Sequence, residues 1–116
     1  MGMDGSSAIS HRRAAAEFAR QARERYDDAI VRIVLYGSVA RGDHRGVRSD
    51  VDLLVVLRDD VEKRDLEERL RDLAYTIELD HAIVLSLLIL VEREYDARQG
   101  RQFFRNVRHD AEVLYG

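Results

Sequence analysis

Three short, almost wholly apolar segments constrain the fold of this chain most strongly. They cover residues 30–36, 50–57 and 82–91, and each is rich in Val, Ile and Leu. Runs of this length and composition predict strands, and strands that are apolar on both sides must be covered on both faces of a sheet. We therefore expect an α/β fold (α+β by stricter usage), with about three strands flanked by helices.

Helical patterns surround these segments. Ser10 can cap a helix that runs to about Tyr26, and Asp59 with Glu62 resembles the capping box of a second helix, ending near Leu79. Apolar residues of the second helix recur at steps of four, three and four, which places on one face Leu66, Leu70, Leu73 and Ile77. Two further short helices are predicted near residues 92–99 and 102–110.

Composition indicates one ordinary globular domain. The 116 residues are 46% apolar and 35% charged, which predicts one domain over residues 1–116. Within it, we expect residues 1–7 to be a disordered lead-in. A net charge of -3 does not favour direct nucleic-acid binding, and the absence of cysteine excludes thiolate metal sites. No segment has the length of a membrane span or the pattern of a signal peptide, so we expect a cytoplasmic protein.

Asp50 and Asp52 open the second apolar segment and give the first chemical signal. Side chains alternate along a strand, so two acids two positions apart point to the same face. Neighbouring carboxylates repel each other unless a cation lies between them, and such oxygen ligands suit Mg²⁺ together with phosphate oxygens. The pair predicts a metal site, although a solvated strand edge is the alternative interpretation.

Gly37 and Ser38 follow the first apolar segment and give the second signal. A turn here that opens a short helix offers backbone N–H groups and a hydroxyl to a phosphate. Arg41 lies one helical turn further on, where its guanidinium can bind the same phosphate. The polar residues 40–49 then form a loop that returns to the acidic pair. Taken alone, the turn is equally compatible with an ordinary strand end, but with the acids it predicts a nucleotide site.

The two motifs together resemble the signature of minimal nucleotidyltransferases, small members of the DNA polymerase β-like superfamily that include antitoxins. The resemblance rests on Gly37 and Ser38, on residues 40–42 (Ala-Arg-Gly) and on residues 49–55 (Ser-Asp-Val-Asp-Leu-Leu-Val). It implies a mixed sheet, Mg²⁺ or Mn²⁺, and transfer of a nucleoside monophosphate from an NTP to a hydroxyl. By motif match, Ser38 would hold terminal phosphates, and Asp50 and Asp52 would be the catalytic metal ligands.

The third apolar segment departs from that signature. The resemblance implies a third carboxylate there, which helps the catalytic metal and activates the acceptor hydroxyl, but residues 82–91 contain no acid. Ser86 is the one polar residue of its parity, and we expect it at or near the missing position. Asp80, two residues before the segment, is the second choice.

Two functions follow from these observations. The first is a Mg²⁺-dependent nucleotidyltransferase acting on a protein or small-molecule hydroxyl, and the resemblance implies a separate helical partner of the HEPN type in a toxin–antitoxin pair. The alternative is a weakly active or inactive module that binds a nucleotide or a partner, or forms homodimers. The missing carboxylate favours the alternative, and the sequence leaves the NTP and the acceptor open.

Overall fold

A four-stranded mixed sheet organises the molecule. The computed structural model describes residues 3–41 and 50–116. The helices are α1 (Met3–Tyr26), α2 (Gly37–Arg41), α3 (Lys63–His81), α4 (Glu92–Ala97) and α5 (Gln102–Asp110). The strands are β1 (Ile30–Tyr36), β2 (Val51–Leu57), β3 (Leu85–Val91) and β4 (Glu112–Tyr115).

The strand order is β3-β2-β1-β4. β1 is antiparallel to both of its neighbours, whereas β2 and β3 are parallel, with α3 as the crossover between them. The predicted α/β class and mixed sheet are confirmed. The expected three strands become four, because the short apolar end of the chain pairs with β1; four residues with two exposed side chains carry little local strand signal.

The two faces of the sheet are covered unequally. Alternation sends Ile33 and Leu53 to one face, where they pack against α1 and α3 in the larger core. It sends Val34 and Leu54 to the other face, where a smaller cluster forms under α4 and α5. This smaller cluster includes Phe104 of α5. Asp52 is two residues before Leu54 on β2, so it points to the same thinly covered face.

The predicted start of the first helix is wrong. α1 begins at Met3 rather than at Ser10. The disordered lead-in expected over residues 1–7 stays a prediction. Helix propensities differ by less than about 1 kcal/mol for residues other than proline, so a residue that is able to cap does not by itself start a helix. Residues 1 and 2 lie outside the described residues.

The predicted capping box of α3 is also wrong. α3 starts at Lys63 with Glu62 as its N-cap, and no side chain bonds to that end. Asp59 instead accepts a hydrogen bond from the Arg93 N–H at 2.9 Å, so its carboxylate pairs with a backbone N–H group in the first turn of α4. The helix face with Leu70 is buried in the core, as its periodicity predicts.

β3 is shorter than the apolar run that predicts it. Ala82 adopts a left-handed conformation (φ 54°) that ends α3, so the strand starts at Leu85. Within the residues described, no helix is both long enough and apolar enough to cross a membrane.

Candidate functional site

The two acids lie where β2 begins. Asp50 is exposed and immediately precedes the strand, and Asp52 is half-buried as its second residue. Asp52 pairs with Tyr36 of β1 on one side and with Ser86 of β3 on the other. Because the spacing of two puts Asp50 and Asp52 on one face, both carboxylates belong to the thinly covered side of the sheet.

Ser86 lies beside both acids. It is in register with Asp52, and its hydroxyl donates a hydrogen bond to Asp50 Oδ2 at 3.3 Å. This side-chain contact differs from the bond to backbone that is common for a serine in a strand. The structure therefore brings Ser86 to the acidic pair. That Ser86 occupies the position of the missing carboxylate stays a prediction.

The other acids near β3 lie elsewhere. Asp80 is exposed near the end of α3, which packs against the opposite face of the sheet from Asp52. Glu78 accepts a hydrogen bond from the Leu85 N–H at 2.8 Å and so fixes the start of β3. Among the residues that the structure describes, no group of three or more His, Cys, Asp or Glu could hold a metal ion.

Gly37 joins the turn to the acidic pair. It has a φ of 78°, in the region that favours glycine, and a Cβ at this position would overlap Asp52 Oδ2 and lie 3.2 Å from Asp52 Cγ. The backbone of the turn therefore packs directly on the Asp52 carboxylate. α2 begins at Gly37, which confirms that the turn opens a short helix.

Ser38 and Arg41 belong to the backbone of α2, but their side chains lie outside the described part of the structure. The loop predicted over residues 40–49 falls mostly on residues 42–49, which also lie outside the described residues. The phosphate-binding roles of Gly37, Ser38 and Arg41 stay predictions.

The donor atoms fit Mg²⁺. Asp50 and Asp52 supply carboxylate oxygens, and Ser86 adds a hydroxyl within hydrogen-bond distance of one of them. Mg²⁺ is usually bound by one or two carboxylates, with phosphate oxygens and water completing the octahedron. A pair of acids at an open strand end is thus suited to a metal that arrives with a nucleotide.

Two aromatic residues at this site, Tyr36 and Phe103, were not among the site residues predicted from the sequence. Burial, followed by the Asp52 charge, raises the pKa of Tyr36, so its phenol stays neutral and able to donate a hydrogen bond. Phe103 of α5 contacts the Tyr36 ring. Tyr36 adjoins the Gly37 turn, which was an available signal, but nothing local distinguishes Phe103 from Phe104.

Comparisons with known proteins point to one family. A family model described as "Nucleotidyltransferase domain" matches residues 15–110. Two proteins of Methanocaldococcus jannaschii, each named "Putative protein adenylyltransferase", are similar to the chain. One is 30% identical over 107 residues, which cover 92% of this chain and 100% of the relative. The other is 26% identical over 100 residues, covering 85% and 67% respectively.

A solved structure shows the same fold. The crystal structure of a "putative nucleotidyltransferase" from Sulfolobus solfataricus superimposes with a TM-score of 0.59 and 20% sequence identity. The match covers 95% of this chain and 84% of the other. The similarity therefore extends through the sheet and the helices on both of its faces.

Proposed function

The chain belongs to the nucleotidyltransferase domain family, and on this premise we propose that it is a Mg²⁺-dependent adenylyltransferase that moves AMP from ATP to a hydroxyl of a partner protein. The observation that carries the proposal is the contact between the Gly37 backbone and Asp52, beside Asp50. This contact supports a site in which the Gly37 turn binds phosphate beside two acids that bind the metal. The names of the two archaeal relatives support ATP as the donor and a protein as the acceptor.

The proposed reaction is a displacement at the α-phosphorus of ATP. The acceptor oxygen forms a new bond to that phosphorus, the bond to the β-phosphate oxygen breaks, and pyrophosphate leaves. The hydroxyl proton passes to solvent, directly or through a carboxylate at the start of β2. Mg²⁺, when bound, would neutralise charge on the phosphate oxygens. Asp50 and Asp52 would hold it, and the Gly37 turn, Ser38 and Arg41 would orient the terminal phosphates.

We propose a separate protein as the acceptor. A small helical partner of the HEPN type, with this chain as the antitoxin, is the form that the resemblance in residues 37–55 suggests. In that arrangement the partner would present its hydroxyl to the open face of the sheet, where the exposed Asp50 lies. The test is incubation with ATP and Mg²⁺ followed by mass analysis of a helical protein encoded beside this one.

A binding experiment tests the nucleotide site independently of any acceptor. Isothermal titration of ATP should show Mg²⁺-dependent binding, weakened at least about tenfold, or about 1.4 kcal/mol, in Asp50→Asn/Asp52→Asn. Asp96→Asn removes an exposed acid from α4 and serves as the control, with unchanged affinity. Binding that is indifferent to Mg²⁺ and to the double substitution would reject the site.

A second function, a nucleotide-binding module with little turnover, is favoured by Ser86. If it replaces the third carboxylate, the site lacks a metal ligand and an acceptor-activating group. Ser86→Asp should then raise AMP transfer while ATP affinity stays within a few-fold. Rapid transfer by the wild type that Ser86→Asp leaves unchanged would point to another acid, and loss of transfer in Asp80→Asn would identify it.

A further inference from the structure

Phe103 is a large apolar side chain left open on the face of the sheet that carries the acidic pair. It lies in the first turn of α5, and 47% of its surface is exposed. The next residue, Phe104, is only 5% exposed and is buried with Val107 in the cluster beneath the helix. Those two residues already anchor α5, so the core does not account for an aromatic residue at position 103.

The Phe103 ring is held in a defined position despite its exposure. It meets the Tyr36 ring edge to face, with centroids 5.9 Å apart, and the Phe104 ring in the same manner at 5.0 Å. Such aromatic pairs orient both rings. A rigid, half-exposed ring loses little conformational freedom when a planar group stacks against it.

Tyr36 connects Phe103 to the acids. It is the last residue of β1, immediately before Gly37, and it pairs across the sheet with Asp52. Directly opposed side chains in a sheet have Cβ atoms about 5 Å apart. Phe103, which contacts Tyr36, therefore lies on the same face of the sheet as Asp52 and is separated from it by one side chain, that of Tyr36.

We propose that Phe103, backed by Tyr36, is the surface on which the base of the bound nucleotide stacks. The inference rests on the proposed function, because it needs the phosphates at Asp50, Asp52 and the Gly37 turn. A nucleotide held there by its phosphates carries its base one sugar away, and among the described residues Phe103 offers an open aromatic surface nearby. Every base has a flat π-face, so stacking gives affinity for the base with little choice between ATP and GTP.

The test compares two ligands that share the phosphates and differ in the nucleoside. Titrations with Mg²⁺ use ATP and inorganic tripolyphosphate, on the wild type, Phe103→Ala and Phe103→Leu. We expect Phe103→Ala to weaken ATP binding by about tenfold and to leave tripolyphosphate binding within twofold. Phe103→Leu keeps an apolar side chain that packs on Phe104 but lacks the π-face, so it should lose most of the same affinity.

Tyr75→Ala is the matched control. Tyr75 is an aromatic residue with 61% exposure on α3, on the opposite side of the sheet, and its removal should change neither affinity. Thermal unfolding of each variant checks that α5 stays folded.

Three outcomes would overturn the proposal. Equal losses for ATP and tripolyphosphate would show that Phe103 shapes the phosphate end instead. ATP binding unchanged in Phe103→Ala, with the wild type binding normally, would refute the stacking surface and leave the proposed function intact. A wild type that binds neither ligand would refute both.

Discussion

The contact between Gly37 and Asp52 makes Gly37→Ala a direct test of the site. The backbone of Gly37 has a φ of 78°, where an L-residue costs roughly 1–2 kcal/mol. The added methyl group would also overlap Asp52 Oδ2, so the carboxylate or the turn has to move. Forcing an extra methyl group into a packed place costs about 1–3 kcal/mol, which brings the expected loss of stability to about 2–5 kcal/mol.

Urea unfolding followed by circular dichroism measures this loss. With a slope of about 1.5 kcal/mol per molar urea, the unfolding midpoint should fall by about 1–3 M. Gly100→Ala is the matched control, because a Cβ at Gly100 has no atom within 4 Å and the residue is outside the positive-φ region. Its stability should stay within about 1 kcal/mol of the wild type.

The same variant should lose nucleotide binding. Displacement of Asp52 disturbs the metal ligands, so Mg²⁺-dependent ATP affinity should fall by about tenfold or more, as after loss of one charge-assisted interaction. Gly37→Ala with the stability of Gly100→Ala and unchanged ATP affinity would refute the close approach of the turn to Asp52. A loss of stability without a loss of ATP affinity would place the metal site elsewhere.

Two further substitutions test the framework. Ala82→Gly should raise the free energy of unfolding by up to about 1 kcal/mol in urea, because Ala82 ends α3 at a φ of 54°; a lower midpoint would contradict this. Glu94→Gln should destabilise the protein at pH 7, because the Val91 N–H and then Lys63 lower the pKa of Glu94. A carboxylate with a lowered folded-state pKa contributes stability above its unfolded pKa, and that stability is lost as the pH falls through the folded pKa. The variant and wild type should therefore converge once the pH is below the lowered pKa of Glu94. A difference that persists there would point to packing instead.

Some features followed from local sequence alone. β1 occupies residues 30–36 and α5 residues 102–110, both as predicted, because apolar run length and helical periodicity are properties of adjacent residues. The spacing of Asp50 and Asp52 determined that they share a face in any strand. The family resemblance in residues 37–55 came from the same short stretch, since order and spacing there need no fold to be recognised.

Other features depended on residues distant in the chain. β4 exists because it pairs with β1, about eighty residues earlier. Asp59 accepts a hydrogen bond from the Arg93 N–H instead of capping α3. The parity of Ser86 was evident from the sequence, but its place next to Asp52 required the parallel register of β2 with β3.

The choice between Phe103 and Phe104 was likewise decided by tertiary packing. Phe104 turns into the cluster under α5 and Phe103 turns toward Tyr36, although both belong to the same turn of one helix. Local alternatives, such as a helix cap at Asp59 or at Glu62, differ in free energy by about 1 kcal/mol or less. Sequence patterns do not resolve a difference of that size. Burying one large side chain is worth about 1.5–3 kcal/mol, so contacts across the fold decide between them.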